Sequence, residues 1–285
     1  MTEHGLEMVA DLKANTRRSS DEASLREVAG TRAVILAGGR GTRLAPYTSV
    51  LPKPLMPVGD RAILEIVVGQ LAKCGISRIS FCVGYLSHLI KAVFDHRAVD
   101  IGARPLEIDY VQEQEALGTA APLRLVDGLD QTFLAMNGDV LTDLDYRELV
   151  RHHRESGNVL TIATYERAIK IDYGILHFDV GQRVRGFEEK PEIVSAVSMG
   201  IYVMEPAVLD FIPPLAYFDF PDLVFALLAA GEQVGAYRFR GLWFDIGRPD
   251  DYHAAATAWA ANGNGENGKH LQSNGDGKHL HPVRS

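Results

Sequence analysis

From Arg32 onward the chain alternates apolar, strand-like runs with stretches of helical period, and this alternation restricts the fold more than any other feature. RAVILA (32–37) is apolar almost throughout, as expected of a strand buried on both faces of a sheet. AILEIVVGQLAKCG (62–75) sets Ile63, Ile66, Val67, Leu71 and Cys74 at helical spacing and ends at Gly75, a residue suited to closing a helix. A strand, RISFCVG (78–84), and a helix, SHLIKAVFDH (87–96), come next. LEIDYVQ and TFLAMNGD read as further strands around a small helix near 119–126, and DYRELVRHH as a helix opened by Asp145 and Glu148 at capping-box spacing. This order predicts an α/β fold, a mostly parallel sheet with helices on both faces. Beyond Val159 the pattern changes. VLTIATYE, GILHFD, RVRGFEE and SMGIYVM are short and separated by turn residues, so an added, partly antiparallel portion is expected there. PDLVFALLAAGEQVG and PDDYHAAATAWAA read as closing helices.

The two ends differ from this middle. Residues 1–30 form a polar extension with a weakly helical DEASLREVA, and residues 262–285 a Gly- and Asn-rich tail that cannot offset its ordering entropy by burial. His270, His279 and His281 fall in that tail and read as solvated rather than metal-binding. The net charge of −8 argues against nucleic-acid or membrane-surface binding, since both favour basic patches. Cys74 and Cys82 lack metal spacing and read as reduced core thiols of a cytoplasmic protein. No apolar run reaches the length of a membrane span, and the first residues lack a signal-peptide core.

Against that acidic average, LAGGRGTRLAPYTSVLPKPLMPVGD (36–60) concentrates glycines and cations directly behind the first strand. In an open α/β sheet, ligands bind beyond the C-terminal strand ends. Gly38, Gly39 and Gly41 let backbone N–H groups approach an anion, Arg43 can fork onto phosphate oxygens, and Lys53 adds a point charge. Leu44 stands where a dinucleotide fingerprint needs its third glycine, and no Gly-Lys-Ser/Thr follows, so neither common phosphate loop is present. The glycines alone would also fit a tight strand-to-helix turn.

At this segment the chain resembles the sugar-1-phosphate nucleotidylyltransferases, also called NDP-sugar pyrophosphorylases. The resemblance runs on through EALGTAAPL, NGDVLTD, DYGI, FEEKP, SMGIYV and WFDIGRPDDY, in family order, and makes residues 31–261 a nucleotidyltransferase domain. It implies a Rossmann-like sheet with an inserted sugar-binding portion. The implied reaction is Mg²⁺-dependent, NTP plus sugar 1-phosphate giving NDP-sugar and pyrophosphate, by in-line attack of the sugar phosphate on the α-phosphate. A sugar phosphate is largely dianionic at neutral pH and needs no general base, so the task is positioning and charge stabilisation.

By the same resemblance Arg43, Lys53, Asp139, Lys190 and Asp245 are the catalytic residues, with Asp139 and Asp245 holding the metal. Leu36, Ala37, Gly38, Gly39, Gly41, Thr42, Arg43 and Lys53 would meet the nucleotide, and Gln112 and Gly118 would frame its base. Tyr173, Gly174, Glu189, Lys190 and Gly200 match the sugar-phosphate segments. Read on residues alone, Asp139 also fits an Asx-turn ending a strand, Asp143 a turn or helix cap, and Lys190 a solvated charge. Many relatives carry Asn where this chain has Ser198, which alters the hydrogen bonding offered to sugar hydroxyls.

Rival chemistries find less support. His88, His152 and His153 lie on expected helices without carboxylate or cysteine spacing and read as exposed or partly buried surface residues, and Trp243 and Trp259 as packing residues. A glycosyltransferase would also use aspartates after a strand but would lack the GGRGTRL…PKP loop. A non-catalytic nucleotide-sugar-binding regulatory homologue would be expected to lose a cation or carboxylate, and all five are present. LPKPLMPVGD, VSMGIYV and WFDIGRPDDY look closest to the mannose- and heptose-1-phosphate guanylyltransferase-like branch, which implies GTP, with dTTP or another NTP as the alternative. The family also implies a homo-oligomer, dimer or tetramer.

Overall fold

The structure is a computed structural model that describes residue 28 and residues 30–97, 105–247 and 249–261. The polar extension up to residue 27, with most of its expected helix, and the tail from residue 262, with its three histidines, lie outside the described residues.

The central sheet joins seven strands. In spatial order these are β12 (Val234–Phe239), β8 (Leu160–Lys170), β11 (Glu192–Met204), β6 (Phe133–Asn137), β1 (Arg32–Ala37), β4 (Arg78–Val83) and β5 (Glu107–Gln112). β1 pairs in parallel with β4 and β6, β4 with β5, and β12 with β8. β11 runs antiparallel to both β6 and β8, so it alone is reversed and all the others point one way. The mostly parallel expectation holds, and within the central sheet the antiparallel pairing rests on one strand.

Burial on both faces explains why β1 is so apolar. Ala33, Ile35 and Ala37 face one core with α1 (Ile63–Lys73), α2 (Ser87–Arg97), α3 (Tyr146–Ser156) and α5 (Pro249–Ala261), while Val34 faces a second core with α4 (Phe220–Ala229). Each fully buried aliphatic side chain contributes about 1.5–3 kcal/mol. α1 ends as its sequence suggests. Gly75 turns left-handed at φ +94°, and the N–H groups of Gly75 and Ile76 donate to the carbonyls of Ala72 and Leu71 at 3.0 Å each. α3 forms only half of its expected capping box. Asp145 accepts from the Arg147 N–H at 2.9 Å, whereas Glu148 pairs with Arg151 and accepts from the Tyr237 hydroxyl at 3.4 Å. Cys74 and Cys82 are buried and free, and burial pushes the Cys74 thiol up to about 11. Among the described residues no helix is long and apolar enough to cross a membrane.

Two strands are longer than their apolar runs foretell. β8 and β11 pair from Leu160↔Met204 out to Lys170↔Glu192, so their outer halves leave the sheet as an exposed ribbon. Beside it in the chain, β9 (Ile175–Phe178) and β10 (Val184–Glu188) form an antiparallel hairpin. Residues 192–197 carry no core-facing signal because they are paired but mostly exposed.

Candidate active site

From β1 the chain runs outward through β4 to β5 and then crosses back to β6 on the other side of β1, so the strand order reverses there and a ligand crevice is expected beyond the C-terminal end of β1. The turn after β1 closes tightly. Gly41 adopts φ +60°, and a Cβ there would sit 3.0 Å from Thr48 Cγ2 and 3.2 Å from Lys53 Cβ. The Thr48 hydroxyl donates to the Gly41 carbonyl at 2.9 Å. The Pro-Lys-Pro loop then lies across the end of β6. A Cβ on Gly138 would stand 3.3 Å from Pro54 Cγ and 3.1 Å from the Leu36 carbonyl, which accepts the Gly138 N–H at 2.9 Å. This packing leaves Lys53 only 8% exposed, with its ammonium in an ion pair with Asp139.

A second carboxylate reaches the first through a short ladder. β7 (Val140–Thr142) pairs antiparallel with β13 (Trp243–Asp245), and Asp245 stands opposite Val140, the residue after Asp139. Burial first, and the neighbouring Asp139 charge second, push the Asp245 carboxyl above its ordinary value, while Lys53 and Arg43 oppose the shift. Arg43 closes the group, with its Nη1 3.6 Å from where a Cβ on Gly247 would lie. Two cations and two carboxylates from four separate segments thus share one site.

The other sequence-derived positions fall on two flanks. On the β4–β5 side, a Cβ on Gly38 would overlap the Glu113 carboxylate, and the Gly38 carbonyl accepts the Tyr85 N–H at 3.2 Å. The Arg40 guanidinium lies over the Tyr85 ring, 5.7 Å from its centroid. Gln112 is exposed and donates to the Glu113 carbonyl at 3.3 Å. Gly118, at φ +89°, presses against the Phe218 carbonyl, and Asp219 accepts from the Thr119 N–H and hydroxyl at 2.8 and 2.9 Å. Leu36, Ala37, Gly39 and Thr42 sit on β1 and the turn behind it.

On the β11 side, Gly200 at φ +72° sits in the bulge where Ser198 pairs with Thr164 but Tyr202 with Ile162. A Cβ there would be 2.6 Å from Asn137 Nδ2. The Ser198 hydroxyl accepts the Gly200 N–H at 3.2 Å and donates to the Tyr202 hydroxyl at 3.1 Å, so its hydrogen bonding is turned into the bulge. A Cβ on Gly174 would overlap the Phe187 ring and stand 3.2 Å from Glu189 Oε2, which brings the DYGI and FEEKP segments together. Tyr173 and Lys190 are exposed, and Lys190 adopts φ +46°. Among the described residues no ion pair joins Lys190 to the carboxylates.

Two expectations need correction. His153 is not at the surface. It is buried, its Nδ1 2.8 Å from the Thr161 hydroxyl and its Nε2 3.0 Å from Glu205, a partner 52 residues away that local spacing could not reveal. Asp143 is not a local turn or cap. It accepts the Leu242 N–H at 2.7 Å and ties β7 to the approach of β13. Trp259 is buried and Trp243 is partly buried, donating from its indole to the Met199 carbonyl at 3.2 Å, both as packing residues should be. Glu113, Asn137 and Asp219 also lie beside these positions, and residue type and spacing alone do not single out the first two. Asp219 alone carries a local signal, its capping-box spacing to Asp222 before α4.

The donor chemistry suits a hard divalent cation. Asp139 and Asp245 offer oxygens alone, and among the described residues no group of three or more His, Cys, Asp or Glu side chains could enclose a metal. Two carboxylates with substrate phosphates and water would complete such a site.

A mostly parallel α/β sheet with a phosphate-suited turn behind β1 and paired charges behind β6 defines a nucleotide-handling class. Residues 32–262 match the nucleotidyl transferase family, and the chain belongs to it. It is 33% identical over 228 residues to mannose-1-phosphate guanyltransferase beta-B of Xenopus laevis, with 78% of this chain and 62% of that protein covered. It is 31% identical over 229 residues to mannose-1-phosphate guanylyltransferase catalytic subunit beta of Drosophila melanogaster, with 78% and 61% covered. The chain therefore spans less than two thirds of the length of these curated relatives. Among solved structures it is similar to HddC from Yersinia pseudotuberculosis complexed with GMP-PN, at 25% identity and a TM-score of 0.59, covering 80% of this chain and 99% of that one.

Proposed function

We propose that residues 31–261 transfer a nucleotidyl group from an NTP, GTP in the first instance, to a sugar 1-phosphate. An oxygen of the sugar phosphate bonds to the α-phosphorus, the bond to the β-phosphate bridging oxygen breaks, and pyrophosphate leaves with that electron pair. The observation carrying this reading is the convergence of Arg43, Lys53, Asp139 and Asp245 behind β1 and β6. The names of the relatives point the same way, to mannose 1-phosphate and GTP as the first pair to test.

In this reading Lys53 and Arg43 hold the triphosphate and offset charge on the departing pyrophosphate. Lys53 is pre-positioned, since burial and Asp139 fix its ammonium before substrate arrives. Asp139 and Asp245 would hold Mg²⁺, whose charge supplies the remaining neutralisation between two anionic substrates. Gly38 and Gly39 offer backbone N–H groups to the nucleotide phosphates. On the far flank Lys190, Glu189 and Tyr173 meet the sugar phosphate, and Gly200 lets β11 pass close to Asn137. The exposed position of Lys190 fits a residue that must be reached by a substrate arriving from solvent.

The test is pyrophosphate release with a panel of NTPs against several sugar 1-phosphates, with and without Mg²⁺. Metal-dependent release with at least one pair supports the reading. No release from any pair by the intact chain overturns it.

A further inference from the structure

The phosphate-suited turn behind β1 is braced from one side by an irregular loop, residues 113–119, that follows β5. The Glu113 carboxylate at the loop's start lies over the bare Cα of Gly38 and accepts the Leu117 N–H. Beyond that point the loop is stitched to the residues that open α4. The Phe218 N–H donates to the Leu117 carbonyl at 2.8 Å, and the Phe218 carbonyl accepts the N–H groups of Ala120 and Ala121 at 2.9 and 3.1 Å. A Cβ on Gly118 would stand 2.7 Å from the Phe218 carbonyl and 2.9 Å from Asp219 Oδ1, so the loop lies flat on this segment. Asp219 fastens it. Its Oδ1 accepts the N–H and the hydroxyl of Thr119, 100 residues away, at 2.8 and 2.9 Å. The tie is returned, because the Phe220 N–H at the start of α4 donates to the Thr119 hydroxyl at 3.0 Å.

We propose that Asp219 is a positioning residue for the NTP: through Thr119 it clasps the loop after β5 against the turn behind β1, without touching substrate itself. This rests on the nucleotidyl-transfer reading, which places the triphosphate on that turn. A carboxylate has about four lone-pair positions. Thr119 fills two of those on Asp219, and the Tyr217 hydroxyl, donating to Oδ2 at 2.6 Å, a third. The carboxylate is therefore engaged by the protein rather than presented to a ligand. Burial, the largest influence on it, raises the Asp219 carboxyl, yet the donations from Tyr217 and Thr119 outweigh burial and hold it below its ordinary value. It stays an anion, and charge-assisted bonds to it are the strong kind. Thr119 itself is exposed, so apolar packing does little to hold the loop there. Without the clasp the loop gains freedom that NTP binding must remove, and affinity falls by that ordering cost.

The experiment measures equilibrium binding of GTP, ATP, UTP and dTTP to the full chain in calcium, with pyrophosphate release followed separately in magnesium. For the NTP bound most tightly, Asp219→Ala should weaken affinity by roughly tenfold, the scale of a lost charge-assisted hydrogen bond. KM for that NTP should rise in parallel, while kcat at saturation and KM for the sugar 1-phosphate stay within about twofold. Thr119→Val, which removes the hydroxyl at nearly constant volume, should weaken NTP binding in the same direction, and Thr119→Ser, which keeps the hydroxyl, should restore most of it. The double variant Asp219→Ala with Thr119→Val should bind no more weakly than the weaker single variant, because both break one tie. The two Thr119 variants probe that tie from the exposed loop, so a poorly folded Asp219→Ala leaves the test standing. A folded Asp219→Ala with unaltered NTP affinity and a lowered Tm overturns the proposal and leaves Asp219 a helix-opening residue only. Fully additive losses in the double variant overturn it too, as does an equal rise in both KM values. Intact NTP binding and clasp effects without turnover on any pair would fail the nucleotidyl-transfer reading while the positioning role stands.

Discussion

The charged centre behind β1 and β6 and the ribbon-and-hairpin flank of β8 to β11 hold their functional candidates in opposite ways. In the first, Lys53 is buried, Pro54 lies on Gly138, and Gly41 packs on Lys53, so the Lys53–Asp139 pair is held by contacts that also stabilise the fold. In the second, Tyr173, Phe187, Ile193 and Lys190 are exposed, and the Phe187 ring of the hairpin lies over Gly174. A site that must bind a polyphosphate with little reorganisation benefits from fixed charges. A site that must admit and release a sugar benefits from elements that can move at low cost. The lesson is that substitutions in the first region should alter stability and chemistry together, and those in the second chemistry alone.

The harshest test of that contrast is Asp139→Asn. It removes a proposed metal ligand and strands a buried ammonium. Turnover should fall by about a hundredfold or more at saturating Mg²⁺. Stability should drop by about 3 kcal/mol, the scale for breaking a buried ion pair. Denaturant unfolding and pyrophosphate release would be read together. Near-normal turnover would take Asp139 out of the metal site.

Next in size is the lysine pair. Lys53→Ala should weaken NTP binding by roughly tenfold or more and lower Tm, because Asp139 loses its partner. Lys190→Ala should weaken sugar 1-phosphate binding by a similar factor and leave Tm unchanged. Calorimetric titration with each substrate separates them, and a Tm loss in Lys190→Ala would erase the distinction drawn between the two regions.

A smaller effect is expected at Gly174→Ala. Its Cβ would displace the Phe187 ring, a flexible and exposed neighbour, so the hairpin should shift and KM for the sugar phosphate rise severalfold while Tm stays within a degree or two. A large fall in Tm would mean the hairpin belongs to the rigid part of the molecule.

The smallest effect concerns pH and the buried network outside both regions. His153 is held below its ordinary value by burial first, with Arg154 and His152 adding to this and Glu205 opposing it. The unfolded chain therefore binds the proton more readily, so stability is complete above about pH 6.5 and declines as pH falls from there toward the folded value. Unfolding followed from pH 8 to 5 should show a shallow decline that His153→Gln flattens, with pyrophosphate release at pH 8 unaffected.

The β-α alternation, the C-terminus of α1 at Gly75 and the cap at Asp145 were legible because each rests on residues adjacent in the chain. So were the glycine turn and its two cations, since anion binding by a turn needs only local backbone freedom. Ser198, flagged as a departure in sugar recognition, could be named from the sequence. That its hydroxyl is spent inside the bulge could not.

Local pattern determined which segments are strands and helices and which residue types could handle phosphate, because period, capping and turn chemistry act over a few residues. Tertiary structure alone decided the rest. It set Asp245 opposite Val140 through β7 and β13, buried Lys53 against Asp139, folded Glu113 rather than Gln112 against Gly38, and gave His153 its carboxylate. The physical reason is common to all four. Charge pairing and burial depend on distance in space, and segments dozens to more than a hundred residues apart meet only after the sheet order is set.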